Sequence, residues 1–125
     1  MNCPNEVNFM KNPAFWQKLD DLIASSEIVI DRPRGAAHPR CPGMVYWVDY
    51  GYLRGTSSMD GEGIDLFRGS LPDGRLTGIL VTVDMVKKDS EIKLLLGVTP
   101  DELDWILRWC NGTELMKGLL IEREG

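Results

Sequence analysis

The sequence predicts a mainly β fold with flanking helices, of the α+β class, in which antiparallel strands form a small barrel or a curved sheet. Three observations support this prediction. Short runs rich in β-branched and aromatic residues recur along the middle of the chain, turn-forming residues separate them, and apolar residues at helical spacing occur near both ends. Because most connections between the runs are too short for parallel crossovers, we expect antiparallel pairing.

The first predicted helix covers about residues 13–25. Pro13 suits the first helical turn, and the side chain of Asn12 can cap it. Apolar residues then recur at helical spacing and predict one buried face, formed by Phe15, Leu19, Leu22 and Ile23.

Five runs predict the strands of a barrel that covers about residues 27–97. These runs are 27–31, 45–52, 64–67, 78–84 and 92–96. Asp60-Gly61-Glu62-Gly63 has the composition of a turn, and Pro72-Asp73-Gly74 is typical of a hairpin turn. A short apolar run at 119–121 predicts a closing strand.

The second predicted helix covers about residues 100–110. Thr99 and Glu102 have the spacing of a capping box, with Pro100 at the first helical position. Apolar side chains recur along one face of this helix as well, at Leu103, Ile106, Leu107 and Cys110.

The composition limits the class of protein. A chain of 125 residues with 43% hydrophobic and 26% charged residues predicts one globular domain, 1–125. We expect a soluble cytoplasmic protein with no membrane partner, because no run reaches the about 20 apolar residues of a membrane-spanning helix. The net charge of −5 disfavours nucleic acid as a partner. Three widely spaced cysteines predict neither a disulfide framework nor a Cys-rich zinc site.

Carboxylates are concentrated beside turns and strand ends. The densest group is Asp60, Glu62 and Asp65, where two intervening glycines let the backbone fold tightly. Gathering three like charges costs free energy unless a cation neutralises them, and carboxylate oxygens are ligands that Mg²⁺ prefers. The alternative interpretation of this segment is a solvated polar turn.

One segment resembles the soluble (family I) inorganic pyrophosphatases. It contains Val48-Asp49-Tyr50-Gly51-Tyr52-Leu53, then Gly55-Thr56, then Asp60-Gly61-Glu62-Gly63-Ile64-Asp65, with the ten-residue interval of that family between Tyr50 and Asp60. The resemblance extends from about Ile28 to Leu96. It implies a five-stranded OB-like barrel, a homo-oligomer, and Mg²⁺-dependent hydrolysis of a small phosphoanhydride substrate, pyrophosphate to two phosphates.

The resemblance also implies roles for individual residues. It implies metal-binding roles for Asp60, Asp65, Asp84 and Asp31. A further metal-binding role belongs to Glu91, with Asp89 as the alternative acid. Glu62 corresponds to the acceptor of a proton from the attacking water, and Lys93 to a substrate-binding lysine. Tyr50 would hydrogen-bond a phosphate or a metal-bound group, and Arg40 corresponds to a lysine that faces the phosphate.

Several positions depart from the pattern of that family. Glu62 replaces an aspartate and Gly63 a proline, while Arg108-Trp109 stands near the place of a Tyr-Lys pair. Two hypotheses therefore remain. The chain is a pyrophosphatase-like hydrolase, or it is a catalytically degenerate domain of the same fold that binds metal, phosphate or a protein partner.

Overall fold

The computed structural model describes residues 11–59 and 61–124, and these contain two helices and six strands. The elements in chain order are α1 (Pro13–Ala24), β1 (Glu27–Arg32), β2 (Asp49–Arg54), β3 (Ile64–Arg68), β4 (Leu76–Asp84), β5 (Asp89–Leu96), α2 (Pro100–Cys110) and β6 (Met116–Glu122). The α+β class expected from the sequence is confirmed, and both helices and the closing strand are present.

All six strands belong to one open sheet with the order β1-β2-β3-β5-β4-β6. Every neighbouring pair is antiparallel except β3 and β5, which run parallel. The expected five-stranded antiparallel barrel is therefore wrong. Short connections require antiparallel pairing only between strands that are consecutive in the sequence. The chain between β3 and β5 contains β4, so it is long enough to connect two parallel strands.

The predicted hairpin at Pro72-Asp73-Gly74 is also wrong. The segment does turn, since the amide of Gly74 donates to the carbonyl of Leu71 at 3.2 Å. However, it connects β3 to β4, and these strands are not neighbours in the sheet because β5 lies between them.

Side chains alternate between the two faces of the sheet, so each face has its own apolar core. On the α1 face, the core consists of Trp16, Leu19, Leu53, Ile64, Leu66, Leu76, Ile79, Leu94 and Leu96. On the α2 face, it consists of Tyr46, Val48, Tyr50, Phe67, Leu80, Leu95, Val98, Ile106 and Cys110. The α2 face also carries most of the polar residues considered below.

Both helices begin as the sequence predicts. Asn12 accepts a hydrogen bond from the amide of Phe15 at 3.2 Å, and α2 has the complete capping box of Thr99 and Glu102. The buried face of α1 differs in one position from the prediction. Trp16 is buried, whereas Phe15 is 43% exposed.

The connection from β1 to β2 begins with a β-bulge. Ile30 pairs with Gly51, but Arg32 pairs with Tyr50, so Asp31 is the extra residue on β1. A bulge redirects the side chains that follow it, and Arg32 consequently lies on the α2 face beside Tyr50.

The segment between β1 and β2 folds back on itself through a bridge between Ala37 and Val45. The regular part of the predicted strand 45–52 therefore begins only at Asp49.

None of the helices in the described residues is long and apolar enough to cross a membrane.

Candidate functional site

A tyrosine, a lysine and an aspartate from three strands meet on the α2 face. Tyr50 on β2 donates its hydroxyl proton to Asp65 Oδ2 at 2.8 Å. Lys93 on β5 donates to the Tyr50 hydroxyl oxygen at 2.8 Å and to Asp65 Oδ2 at 3.2 Å. The parallel pairing of β3 with β5 places Asp65 directly opposite Lys93. The three polar groups therefore form a closed triangle of hydrogen bonds.

Glu91 adds a second carboxylate to this group. It lies two residues before Lys93 on β5, so both side chains point to the same face, and Lys93 Nζ lies 3.3 Å from Glu91 Oε2. The side chains of Lys93 and Glu91 are each 8% exposed, while that of Asp65 is 26% exposed. Solvent therefore reaches this group mainly through Asp65. We call Tyr50, Asp65, Glu91 and Lys93 the buried polar centre.

Burial and charge act differently on the members of the buried polar centre. Burial raises the pKa of the Tyr50 hydroxyl, which stays neutral at physiological pH. Burial alone would lower the pKa of Lys93, but the attraction of the oxygens of Tyr50, Asp65 and Glu91 outweighs it, so the pKa of Lys93 is raised. Burial raises the pKa of Glu91 despite the adjacent ammonium group. The centre therefore holds a permanent cation beside a neutral phenol.

Asp84 and Asp89 lie opposite each other where the β4–β5 hairpin closes, and Asp89 is two residues before Glu91 on β5. Asp84 Oδ1 accepts hydrogen bonds from the amides of Val86 and Lys87 at 2.9 and 3.1 Å. Asp84 thus stabilises the hairpin turn. Both aspartates line an open groove of about 550 Å³ together with Met59, Val83, Met85, Lys88 and Ser90. No hydrogen bond between described residues joins either aspartate to the buried polar centre.

The remaining predicted site residues lie outside this centre. Asp31 is exposed at the bulge, Arg40 is exposed in the segment before β2, and Glu62 is exposed just before β3. Asp60 lies outside the described residues. Of the ten predicted positions, the structure thus brings four into direct contact with one another.

Among residues 11–59 and 61–124, no group of three or more His, Cys, Asp or Glu side chains is arranged to hold a metal ion. Proteins bind Mg²⁺ through one or two carboxylates completed by waters and substrate phosphates. Asp65 and Glu91 are two such carboxylates, and both already lie against one cationic group, the ammonium of Lys93.

The sequence patterns did not single out Arg32. The Arg32 guanidinium carbon lies 5.5 Å from the ring centroid of Tyr50, and Arg32 donates to the Tyr46 hydroxyl at 2.8 Å. Trp47 is 57% exposed and stacks on Trp105 with ring centroids 6.3 Å apart. Only the three-dimensional bulge in β1 turns Arg32 toward Tyr50, and the sequence carries no signal for that bulge.

The fold and the site together define an α+β protein with an open mixed sheet and a buried Tyr-Lys-carboxylate centre. No protein-family model matches the chain, and no curated protein matches it significantly. A similar fold occurs in the crystal structure of an inorganic phosphatase from Anaplasma phagocytophilum, with a TM-score of 0.52 and 16% sequence identity. The similarity covers 76% of this chain and 81% of that chain, and it shows a shared fold.

Proposed function

We propose that the protein is a Mg²⁺-dependent hydrolase of a small phosphoanhydride, with inorganic pyrophosphate as the first candidate substrate. The observation that carries this proposal is the contact between Tyr50, Asp65, Glu91 and Lys93. These four residues come from three strands, and the resemblance to pyrophosphatases assigns a role to each of them. The shared fold with a protein named as an inorganic phosphatase is consistent with this activity.

In this proposal, Asp65 and Glu91 hold the metal, and Asp60, Asp84, Asp89 and Asp31 are further candidate ligands. When bound there, Mg²⁺ would supply an activated water molecule and would neutralise charge that develops on the phosphate oxygens. Asp65 is the more accessible of the two central carboxylates, because its side chain is 26% exposed and that of Glu91 is 8% exposed.

The protein's own groups bind and orient the substrate. Lys93, whose raised pKa keeps it charged, supplies positive charge to a phosphate oxygen. Tyr50 stays neutral and can donate its proton to Asp65 or to a phosphate. Glu62, exposed three residues before Asp65, is the proposed acceptor of the proton from the attacking water, and Arg40 is a proposed phosphate contact.

A second candidate function is a non-catalytic domain that binds phosphate, metal or a protein partner. The specific observation in its favour is that Lys93 Nζ already lies within 3.3 Å of both Asp65 and Glu91. An internal ammonium group that compensates both carboxylates removes the electrostatic need for a metal ion.

Phosphate release from pyrophosphate, measured with Mg²⁺ and with EDTA, separates the two functions. A hydrolase releases phosphate only with Mg²⁺, and Asp65→Asn reduces both the release and the heat of Mg²⁺ binding in calorimetry. Asp104→Asn is the matched control, because Asp104 is exposed on α2 and pairs only with Arg108 among the described residues. No release above background from pyrophosphate or other phosphoanhydrides would leave the non-catalytic function.

The resemblance also leads us to propose a homo-oligomer. Edge strand β6 exposes two large apolar side chains, Leu119 at 67% and Ile121 at 42%, which is consistent with a subunit contact. Light scattering during gel filtration measures the mass of the assembly, and a mass of 14.1 kDa, that of one chain, would contradict this proposal.

A further inference from the structure

We propose that the free edge of β6 binds a second copy of this chain, whose own β6 pairs with it antiparallel and extends the sheet across a dimer. This inference rests on the proposed homo-oligomer, for which it names the surface and the register, and it does not depend on the proposed hydrolase activity. It follows from which backbone groups of β6 are already hydrogen-bonded and which are not.

The ladder between β4 and β6 determines where the backbone groups of β6 point. β6 is an edge strand whose neighbour in the described sheet is β4. At the two ends of this ladder, the Met85 amide donates to the Leu115 carbonyl at 2.8 Å and the Arg123 amide to the Thr77 carbonyl at 3.0 Å. Antiparallel hydrogen bonds involve every second residue, so the odd-numbered residues of β6 bond to β4. The even-numbered residues direct their N–H and C=O groups away from the sheet, and they include Gly118, Leu120 and Glu122.

A side chain already occupies one of these outward positions. Asn111, at the C-terminal end of α2, accepts a hydrogen bond from the Gly118 amide through Oδ1 and donates to the Gly118 carbonyl through Nδ2, both at 3.1 Å. Its amide group takes the place of the peptide group of a neighbouring strand. Among residues 11–59 and 61–124, no partner bonds to the outward groups of Leu120 and Glu122. The open part of the edge therefore begins after Gly118.

These two open positions favour one register for the second β6. If Leu120 lies opposite Glu122 of the second copy, each open residue forms two hydrogen bonds, and the two-fold axis passes between the two Ile121 residues. Of the neighbouring symmetric registers, one needs the groups of Gly118 that Asn111 already binds. The other places Glu122 opposite Glu122 of the second copy, where two like charges destabilise the pair. The cap and the charge thus select the register centred on Ile121.

The exposed apolar side chains of β6 are consistent with this register. Ile121 lies opposite Ile79, which belongs to the core on the α1 face, so Ile121 shares that face. It is nevertheless 42% exposed, and Leu119 on the same face is 67% exposed. Pairing brings Ile121 against Ile121 of the second copy and removes apolar surface from water.

Disulfide cross-linking tests the register. In a Cys3→Ser, Cys41→Ser background, Ile121→Cys should form an intermolecular disulfide with oxidised glutathione, because the two Cα atoms on the axis would be about 4.5 Å apart. Leu119→Cys is the matched control. Position 119 is more exposed, but its Cα would lie about 14 Å from its counterpart, too far for a disulfide. Non-reducing gel electrophoresis measures the cross-linked fraction, and equal fractions for the two variants would overturn the register.

Sedimentation equilibrium tests the backbone hydrogen bonds with the native cysteines present. Glu122→Pro removes an outward N–H group and leaves the bonds to β4 intact, so we expect the Kd of the dimer to rise at least about tenfold. Glu122→Ala keeps this N–H group and should change the Kd less than about threefold.

The outcomes separate this interface from the broader proposals. A dimer that neither cross-links at Ile121→Cys nor weakens in Glu122→Pro would overturn the β6 interface and leave the homo-oligomer in place. A mass of 14.1 kDa for the unmodified protein at the highest concentration studied would contradict both. Cross-linking at Ile121→Cys supports the interface whether or not the protein releases phosphate from pyrophosphate.

Discussion

The ammonium group of Lys93 donates a 2.8 Å hydrogen bond to the hydroxyl oxygen of Tyr50, although the two residues are 43 positions apart in the sequence. The same ammonium group contacts Asp65 and Glu91. Breaking such a buried pair leaves a desolvated charge with no compensation, which costs more than the pair itself contributes. Lys93 is therefore the residue on which the stability of the site depends most.

The first prediction concerns Lys93→Met. We expect a loss of roughly 3–5 kcal/mol in the free energy of unfolding, because Asp65 and Glu91 lose their shared counter-charge in a poorly solvated place. Urea denaturation measures this change. Lys18→Met, at an exposed position on α1, should change the stability by less than about 0.5 kcal/mol. Adding Glu91→Gln to Lys93→Met should restore part of the loss, and a double variant less stable than Lys93→Met would contradict this account.

The second prediction concerns the Tyr50 hydroxyl. Tyr50→Phe removes a donor to Asp65 and an acceptor for Lys93, so we expect a loss of about 1–3 kcal/mol in the free energy of unfolding. Tyr52→Phe serves as the control, since its hydroxyl forms no hydrogen bond with the part of the chain that the structure describes. Equal stabilities of the two variants in thermal unfolding would show that the Tyr50 hydrogen bonds contribute nothing.

The third prediction explains the glycine between the two tyrosines. A Cβ atom at Gly51 would overlap the backbone carbonyl oxygen of Val29 on β1. Gly51→Ala must therefore separate β1 from β2 and should cost roughly 1–3 kcal/mol or more. Gly43→Ala is the control, because a Cβ there meets open space. Amide hydrogen exchange should report faster exchange in β1 of Gly51→Ala, and unchanged protection there would contradict the proposed overlap.

The fourth prediction concerns His38, the single histidine of the chain. Burial and the charges of Arg32, Arg40 and Lys87 favour its neutral form, so its pKa in the folded protein lies below the ordinary value of 6.5. The unfolded chain then binds the proton more readily. Stability attributable to His38 is therefore present above pH 6.5 and is lost as the pH falls from 6.5 through the folded pKa.

Proton NMR of the imidazole measures this pKa directly. Arg32→Gln should raise this pKa, because the substitution removes one of the three cations that act on the imidazole. A titration midpoint at or above 6.5 in the unliganded protein would show that the three cations do not act on His38 as described.

The N-termini of both helices could be predicted from the sequence, because the residues that cap a helix are local to its first turn. Pro13 after Asn12, and Thr99 with Glu102 around Pro100, satisfy backbone groups within one helical turn, and the structure contains both caps. The prediction that Phe15 belongs to the buried face of α1 was wrong. Trp16 packs in the core instead, because the position of the sheet, which the sequence of the helix does not report, decides which side chain is buried.

The sheet order could not be read from the sequence. A parallel pair between β3 and β5 depends on contacts across a segment that contains β4, and neither hydrophobic patterning nor turn composition reports which strands become neighbours. The assumption of sequential hairpins therefore led to a barrel instead of an open mixed sheet.

The sequence was more informative about the centre of the site than about its edge. Tyr50, Asp65, Glu91 and Lys93 lie on regular strands, where register and alternation place side chains on a common face. Asp31, Arg40 and Glu62 lie at a bulge or on irregular segments, where spacing along the chain does not determine direction. Arg32 shows the same limit, since an inserted residue reverses the face on which it lies.

The parallel pairing of β3 with β5 has a consequence for the order of folding. The β4–β5 hairpin can form early, because a short turn connects its strands. Asp65 and Lys93 are 28 positions apart, so they meet only after the chain has closed the longer loop that contains β4. The charges of the site are thus brought together in a late step. A nascent or partly unfolded chain would contain the hairpin and yet lack the buried polar centre, so the contacts of Lys93 report on completion of the whole sheet.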